Sequence, residues 1–457
     1  MSQRRFLFVA IAIIFGALIA IPILWFGLDM ARYRQIQVYN VHLDTAMAFT
    51  DGYTFNLGEP VPLYVHGEST VTGEIYRLGA TKELVASDIE IGAAKQNRSL
   101  HLKKGFDWDV THRLNTEGLR PGLHTVELYS SEEPSLPFIV PFVISAEDPE
   151  VAVFISTNTW EAYNDFGGIS NYENHHFSGL TQRILAEVEF WGGQVPDIDL
   201  PWARPNNAIS NDLHDQLDPT ADFHSRLIRQ EWAFLAFLEF SGLDYGIYTD
   251  RDLAFGDSWK GADLIVFPGH AEYWSDEMFH AFDQYVASGG HALLSAGNPM
   301  LKPVEFEEGF TAFQQTEIPS DRIRRMIGAT FTGAGIFTAA PFEVLEPDHW
   351  VFEGLGIREG DTFGHHSITR PVVEFNDPTS PEGASGLFTL EPGFGSTDFI
   401  ELAVGLNDDG PAHMMFMETP AGGWVFNSGS GSFTGALFDD PIAIGLVKNL
   451  IKDALGQ

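Results

Sequence analysis

The sequence has no cysteine among its 457 residues. Disulfide bonds, thiolate metal ligands, lipid attachment through cysteine and catalysis by a cysteine nucleophile are therefore excluded. This absence does not identify the compartment, because a chain without thiols is compatible with either redox environment.

Basic residues are also scarce, since 26 Lys and Arg residues stand against 63 Asp and Glu residues and give a formal net charge of -37. A surface of this charge repels nucleic-acid phosphates, so nucleic acid is excluded as a partner. The simplest explanation of the acidity is a well-solvated surface. The hydrophobic content of 44% is ample for packed cores, and the length predicts two or three domains.

Several catalytic motifs are missing as well. The sequence contains no G-x-S-x-G elbow, P-loop, H-E-x-x-H or G-x-G-x-x-G signature, so the serine hydrolase, nucleotide-binding and zincin classes lose their usual support. The pairs His175-His176 and His365-His366 carry no partners at a recognised metal-binding spacing.

One long apolar run is present near the N-terminus. Residues 6–28 contain no charged side chain, and at about 1.5 Å per residue such a helix spans a bilayer core of roughly 30 Å. The run predicts a transmembrane signal anchor after a cytoplasmic tip of residues 1–5, with the soluble domains on the extracytoplasmic side of the cell membrane. A cleaved signal peptide is the alternative.

Residues 37–147 show short β-type runs separated by turn signals, such as Pro121-Gly122 before the alternating segment 124–128. No helical periodicity interrupts them. This pattern predicts a small all-β sandwich of the immunoglobulin-like kind.

From residue 150 to residue 457, apolar strands alternate with amphipathic helices. The clearest unit is a strand over 262–267, a helix over 275–288 and a strand over 291–295. The predicted fold class is therefore α/β, with an N-terminal transmembrane helix, the β-sandwich, and a large α/β domain that has a largely parallel sheet.

The predicted strands of this domain end in polar segments. Because the carboxyl ends of parallel strands gather at one edge of a sheet, these segments are expected to meet there. They are residues 157–164, 269–274, 296–299 and 427–430.

Four side chains in these segments are candidates for chemistry. His270 and Glu272 lie two apart and share a face of an extended chain, so they form a ligand pair, an acid/base pair or a plain surface pair. Asn298 either orients a substrate or caps a turn, and Tyr163 either binds metal as a phenolate or packs its ring.

Three of these segments together resemble the C-terminal domain of the N,N-dimethylformamidase large (beta) subunit family. They are Asn158–Gly168 (NTWEAYNDFGG), Gly269–Ser275 (GHAEYWS) and Ser295–Asn298 (SAGN), and H-x-E-Y-W is the most specific element. The resemblance covers roughly residues 150 to 455. It implies a fold like that of class I glutamine amidotransferases and hydrolysis of a small amide at a mononuclear iron held by two tyrosines and a glutamate.

By this resemblance Tyr163 and Glu272 are expected to ligate the iron, with His270 and Asn298 as catalytic or substrate-contacting groups. The chemistry is coherent, because a hard ferric ion prefers anionic oxygen ligands and acts as a Lewis acid.

The second tyrosine of the family follows an Arg-Pro pair. The nearest element here, Trp202–Asn206, has Asn206 at that position. Tyr172 and Tyr248 are alternative donors, and no motif chooses between them.

The sequence therefore predicts a membrane-anchored, iron-dependent hydrolase of C–N (amide) bonds in a small-molecule substrate. The alternative is a non-catalytic envelope protein that binds a ligand or serves as a scaffold with the same fold. A carbohydrate-active protein is a third hypothesis, based on the sandwich and the aromatic residues. The predicted partners are the small-molecule substrate and the membrane, together with either further copies of the same chain or a partner subunit.

Overall fold

The computed structural model describes Gly16 and residues 38–457, apart from residues 45, 69, 102, 131–134, 169, 173–199, 215–217, 222–224, 308, 315 and 370–381. Two regions follow each other along the described chain. The first contains only strands, and the second combines strands and helices.

The first region is a β module with alternating apolar residues. Val61, Leu63 and Val65 are buried in one core because every second side chain of a strand turns to the same face. Its strands are β1 (Val38–Asn40), β2 (Ala46–Phe49), β3 (Thr54–Phe55), β4 (Val61–Gly67), β5 (Val71–Leu78), β6 (Lys82–Ile91), β7 (Ser99–His101), β8 (His112–Leu114), β9 (Gly122–Tyr129) and β10 (Phe138–Ile144).

Two sheets of the β module share that core. One has the strand order β3-β10-β9-β5-β6, and the other has the order β2-β4-β8. All pairs within them are antiparallel except β3 with β10, and β1 forms a separate ribbon with β7.

The second region begins at Val151. Its elements in chain order are β11 (Val151–Ile155), α1 (Thr157–Tyr163), β12 (Leu200–Pro201), α2 (Asn207–Leu213), α3 (Ile228–Phe240), β13 (Gly246–Thr249), α4 (Asp250–Phe255), β14 (Leu264–Gly269), β15 (Tyr273–Trp274), α5 (Asp276–Ala287), β16 (His291–Ala296), β17 (Lys302–Glu307), β18 (Phe310–Phe313), α6 (Ser320–Ile327), β19 (Thr330–Phe331), β20 (Ala339–Ala340), β21 (Phe342–Val344), η1 (Trp350–Phe352), β22 (Thr362–Phe363), β23 (Ser385–Gly386), β24 (Leu390–Glu391), β25 (Ile400–Gly405), β26 (His413–Glu418), β27 (Trp424–Asn427), η2 (Phe433–Phe438) and α7 (Pro441–Ala454).

A nine-stranded sheet with the order β13-β11-β14-β16-β27-β26-β25-β21-β22 forms the centre of this region. Strands β13 to β27 in that order are parallel neighbours. The βαβ unit predicted over 262–295 is confirmed as β14, α5 and β16, because β14 and β16 pair in parallel across the crossover helix.

The prediction of a largely parallel sheet is wrong. From β27 through β26, β25 and β21 to β22, every neighbouring pair is antiparallel, so the sheet is mixed. Residues 406–412 join β25 to β26, and residues 419–423 join β26 to β27. Connections this short cannot hold the crossover of a dozen or more residues that a parallel pair needs.

The predicted transmembrane helix also finds no support. Among the described residues, no helix combines the length and the apolar character that are needed to cross a bilayer. Of the predicted span, residues 6–28, only Gly16 is described, and the other residues lie outside the described part of the chain. The corrected description is a β-rich chain with several sheets, the largest of which is mixed.

Helix α3 joins the two regions. Its residues from Ile228 to Leu238 are buried on every side, because it packs against β14 and against β5 of the β module. The indole nitrogen Nε1 of Trp232 donates to the carbonyl oxygen of Gly79 at 2.8 Å, and Arg77 pairs with Glu239 at 2.6 Å. The β module therefore rests directly on the helix that lies beside the sheet centre.

Candidate functional site

The polar segments after β11, β14 and β16 meet at one edge of the sheet, as the strand-end argument predicted. The three strands are adjacent and parallel, so their carboxyl ends lie together. Tyr163 ends the helix after β11, His270 and Glu272 follow β14, and Asn298 follows β16. The structure thus brings all four predicted residues together, and their chemical roles remain predictions.

Glu272 lies at the centre of this cluster and is 3% exposed. Its carboxylate oxygen Oε2 accepts a hydrogen bond from the phenol of Tyr172 at 2.5 Å and lies 3.4 Å from Nε2 of His270. The phenol of Tyr273 is 2.7 Å from that of Tyr172. One phenol and one imidazole therefore lie beside the buried carboxyl group, and a second phenol contacts the first.

Burial raises the pKa of Glu272 to about 7. Hydrogen bonds from Tyr172 and Asn298, together with the charges of Lys302 and Arg226, favour the ionised form and oppose this rise. The carboxyl group therefore changes its charge easily near neutral pH.

His270 is 2% exposed, and neither of its ring nitrogens has a hydrogen-bond partner among the described residues. Its ring stacks on Phe388, with centroids 4.6 Å apart and an angle of 13° between the planes. Burial, followed by the charge of Arg226, holds the pKa of His270 well below its usual range. The imidazole is therefore neutral.

Tyr163 packs face to face with Tyr172, with ring centroids 4.1 Å apart, and the guanidinium of Arg226 lies 4.5 Å from the centre of the Tyr163 ring. Burial raises the pKa of Tyr163, and the nearby carboxylate of Glu272 raises it further. Without a bound cation, the Tyr163 phenol therefore keeps its proton.

Backbone strain is concentrated at this site. Six described residues other than glycine have a positive φ, and four of them are here: Asn298 (51°), Met300 (64°), Leu387 (54°) and Phe388 (64°). Such conformations cost roughly 1–3 kcal/mol each and typically occur where function requires them. The buried side-chain oxygen Oδ1 of Asn298 also has no hydrogen-bond partner among the described residues.

Two glycines allow the loops to approach each other. Gly269 has a φ of 77° and turns the chain from β14 towards His270. At Gly297, a Cβ atom would lie 2.4 Å from the carbonyl oxygen of Leu387, so only glycine lets the two loops touch.

Two buried carboxylates hold the first turn of α1, which lacks a capping side chain of its own. Glu231 accepts from the backbone N–H of Ser156 at 2.7 Å, and Asp250 accepts from the backbone N–H of Asn158 at 2.7 Å. They satisfy free N–H groups at the helix start. These contacts fix α1 and with it the position of Tyr163 at its end.

Asn206 does not belong to the Glu272 cluster. Its side-chain oxygen accepts from the backbone N–H of Ile209 and caps α2, while its amide nitrogen is 3.4 Å from the carboxylate of Glu161. Of the two alternative tyrosines, Tyr172 contacts Glu272. Tyr248 donates instead to the carbonyl oxygen of Ala146 at 2.8 Å.

The sequence model of the family described as "N,N-dimethylformamidase beta subunit-like, C-terminal" matches residues 70–442, which is well over half of the chain. The chain belongs to this family. The match begins at β5 of the β module, further upstream than the resemblance seen in the sequence. A search of curated proteins found no match.

Two solved structures show weak similarity to this member of the N,N-dimethylformamidase beta subunit-like family. A putative ThuA-like protein from Parabacteroides merdae ATCC 43184 is 14% identical over 50% of this chain and 85% of its own, with a TM-score of 0.30. The exo-β-1,4-mannosidase Op5Man5 from Opitutaceae bacterium strain TAV5 is 13% identical over 67% of this chain and 36% of its own, also with a TM-score of 0.30. Similarities at this level support no conclusion about fold or function.

The pair His365-His366 does not join the site. His365 contacts the hydroxyl of Thr362 at 3.0 Å, and His366 contacts Asp439 at 2.5 Å at the surface. His175 and His176 lie outside the described residues.

In the part of the chain that the structure describes, no three His, Asp or Glu side chains gather closely enough to hold a metal ion. The oxygen atoms that do approach one another in this dimethylformamidase-like site belong to two phenols and one carboxyl group. These oxygens belong to Tyr172, Tyr273 and Glu272, and the ring of Tyr163 stacks on that of Tyr172, so these four are the residues through which a cation could be held.

Three contributors were missed from the sequence. Arg226 just precedes α3, Phe388 lies in a stretch rich in glycine and proline, and Lys302 begins a short strand. None stands in a motif, so only the folded chain reveals that they face the cluster.

Proposed function

We propose that the chain hydrolyses amide C–N bonds of a small substrate at the Glu272 cluster, and that it does so with a bound metal, for which iron is the expectation from the family resemblance. Membership of the N,N-dimethylformamidase beta subunit-like family is consistent with a hydrolase. The observation that carries the proposal is the buried His270, which has two unpartnered ring nitrogens and lies 3.4 Å from the carboxylate of Glu272.

The donor set fits a hard cation. Tyr163 and Tyr172 stack at 4.1 Å, and the phenol of Tyr172 reaches the carboxylate of Glu272 at 2.5 Å. Phenolate and carboxylate oxygens are the ligands that a ferric ion prefers. Tyr172 would then fill the role for which the Arg-Pro-Asn206 element has no tyrosine. A bound metal would act as a Lewis acid that polarises the amide carbonyl and lowers the pKa of water.

The other residues handle protons and orientation. Because its imidazole is neutral, His270 would take a proton from the attacking water at Nε2 and return it to the leaving amine. The unpartnered oxygen Oδ1 of Asn298 would accept a hydrogen bond from the water or from a substrate N–H. The Phe388 ring, stacked on His270, would exclude bulk water from this face.

Metal analysis and turnover of the purified full chain test the proposal. We expect the wild-type protein to carry metal and to release amine or ammonia from small amides, and a chelator to abolish the release. Glu272→Gln and Tyr172→Phe should lower metal content and turnover together, by at least about 10–100-fold in affinity or rate. Tyr285→Phe is the control, because its buried phenol bonds to the carbonyl oxygen of Ala262 instead.

A protein without metal whose turnover is unchanged by Glu272→Gln would contradict the proposal. Specific retention of an amide without turnover would instead favour the non-catalytic ligand-binding function.

A further inference from the structure

Arg226 places a positive charge on the wall of the Glu272 site. Its guanidinium carbon lies 4.5 Å from the ring centre of Tyr163 and 5.7 Å from that of Phe388. These two rings flank His270, at centroid distances of 5.7 Å and 4.6 Å. The side chain is half-buried, and its guanidinium lies against these two rings of the site.

Among the described residues, no carboxylate lies within ion-pair distance of this charge, although the charge acts at longer range on Glu272 and Asp212. Arg77, Arg120 and Arg322 pair with acidic side chains at 2.6, 2.5 and 3.1 Å. No carboxylate among the described residues forms such an ion pair with Arg226, and its buried Nε–H lacks a hydrogen-bond acceptor. In a chain with 63 acidic and 26 basic residues, an unpaired arginine beside a reactive cluster calls for an explanation.

The orientation of the guanidinium leaves part of its donor set free. The guanidinium donates a hydrogen bond to the phenol of Tyr163, and its buried Nε–H has no acceptor among the described residues. A guanidinium carries five N–H donors in a planar fork that matches a carboxylate with two parallel hydrogen bonds. The donors that Tyr163 does not use therefore suit a planar anionic group of a bound molecule.

We propose that Arg226 binds a carboxylate group of the substrate, so that the substrate is a small amide with one negative charge. The inference rests on the amide hydrolysis proposed above and names its substrate class. A monoanion matches the single guanidinium charge, whereas a dianionic phosphate would bring an additional negative charge towards the carboxylate of Glu272. Because the net charge of -37 repels anions at long range, the local arginine must supply the attraction.

Matched pairs of amides test this. N-Formylglycine and N-isobutylformamide have the same shape but differ in charge, and succinamate and 4-methylpentanamide form a second pair with the carboxylate on the acyl side. We expect the wild-type full chain to favour the charged member of at least one pair by about 10–100-fold in kcat/KM, because a charge-assisted bidentate contact contributes about 1.5–3 kcal/mol. Arg226→Gln should reduce the ratio of kcat/KM between the charged and uncharged members to about 1, even if the substitution also lowers kcat/KM for both.

Two further variants separate charge from structure. Arg226→Lys keeps the charge without the planar fork and should retain a several-fold preference. Arg251→Gln is the matched control, since Arg251 also lies over two rings, Trp202 at 5.0 Å and Phe255 at 5.6 Å, away from the site. It should leave the ratio unchanged. Circular dichroism of each variant checks that the fold is retained.

The outcomes are distinct. A wild-type ratio near 1, or an equal loss for both members of a pair in Arg226→Gln, would overturn the substrate assignment and leave amide hydrolysis standing. If no amide is hydrolysed, calorimetry with succinamate and 4-methylpentanamide decides: binding of succinamate alone, lost in Arg226→Gln, would support the carboxylate site while amide hydrolysis fails. Binding of neither compound would overturn both.

Discussion

Two buried glutamates of this molecule have opposite surroundings. Glu161, in α1, is 0% exposed, and its carboxylate accepts from the phenol of Tyr53 at 2.5 Å and from the amides of Asn164 and Asn206 at 3.3 and 3.4 Å, with the guanidinium of Arg204 at 3.6 Å. Burial raises the pKa of Glu161, and the charge of Arg204 opposes the rise.

Glu272 is buried almost as deeply, yet its neighbours are not satisfied. Tyr172 donates to it, but the nitrogens of His270 and the oxygen of Asn298 have no partners among the described residues. Buried polar groups without partners cost stability, and folded proteins retain few of them. The carboxylate of Glu161 is thus satisfied by four side chains, whereas the Glu272 cluster retains buried polar atoms that have no partners among the described residues.

The largest expected effect tests the Glu161 side of the contrast. Glu161→Ala leaves the guanidinium of Arg204, whose side chain is 1% exposed, buried without a countercharge. We expect a loss of about 3–5 kcal/mol in the free energy of unfolding, measured by urea denaturation. Glu83→Ala, which breaks a pair with Arg120 that is half-exposed, should cost less than about 1 kcal/mol. Equal effects of the two substitutions would refute the structural role of Glu161.

A second prediction tests the contrast on a third buried group, the imidazole of His124. His124 of β9 has one unpartnered nitrogen, Nε2, but lies in the β module, far along the chain from the site. Burial lowers its pKa to about 4, so between pH 6.5 and pH 4 the unfolded chain binds more protons than the folded one.

Stability should therefore fall as the pH drops through this window, by up to about 3 kcal/mol. His124→Phe, which keeps the stacking on Phe142, should flatten the difference between unfolding curves at pH 6.5 and pH 4 while changing stability little at pH 8. If the two proteins respond identically to acid, burial does not disfavour the charged form of His124, and the argument from buried groups loses support.

A smaller effect comes from the β module. Tyr53→Phe removes the phenol that reaches Glu161 from the neighbouring region and should lower the free energy of unfolding by about 1–2 kcal/mol. Tyr76→Phe removes a phenol bonded to Glu74 at 2.6 Å at a half-exposed position and should cost less than about 0.5 kcal/mol. Thermal denaturation of both variants gives the comparison, and a larger cost at Tyr76 would contradict it.

At the site itself we expect a small effect on stability. Glu272→Gln keeps the shape of the side chain and removes a buried charge, so the free energy of unfolding of the metal-free protein should change by less than about 1 kcal/mol. Amide turnover should nevertheless be lost. A destabilisation as large as that of Glu161→Ala would make Glu272 a structural residue like its counterpart.

The local part of the site was predictable from the sequence. His270 and Glu272 lie two residues apart after a clearly apolar strand, and a spacing of two places side chains on one face of an extended chain. Asn298 follows the next parallel strand, so the sheet order brings it close. These arguments need only strand periodicity and parallel neighbours, both of which the segment 262–298 displays clearly.

The remainder depends on long-range packing. The position of Tyr172 beside Glu272 requires the chain after α1 to fold back onto β15, and no local pattern encodes that. In the sequence, Asn206 stands where the family has its second tyrosine ligand. In the structure, its side chain instead caps α2. The antiparallel half of the sheet escaped prediction because strands such as β21 and β22 contain only three and two residues.

The change of strand direction at β27 places an exposed turn on the side of the sheet away from the site. The turn between β26 and β27 opens on the sheet edge opposite to Glu272, and Pro420, Ala421 and Gly422 are exposed there. The four residues of β27, at about 3.3 Å each, separate this turn from the opposite edge. A fluorophore or a linker to a solid support attached at this turn would leave the reactive edge pointing away from the point of attachment.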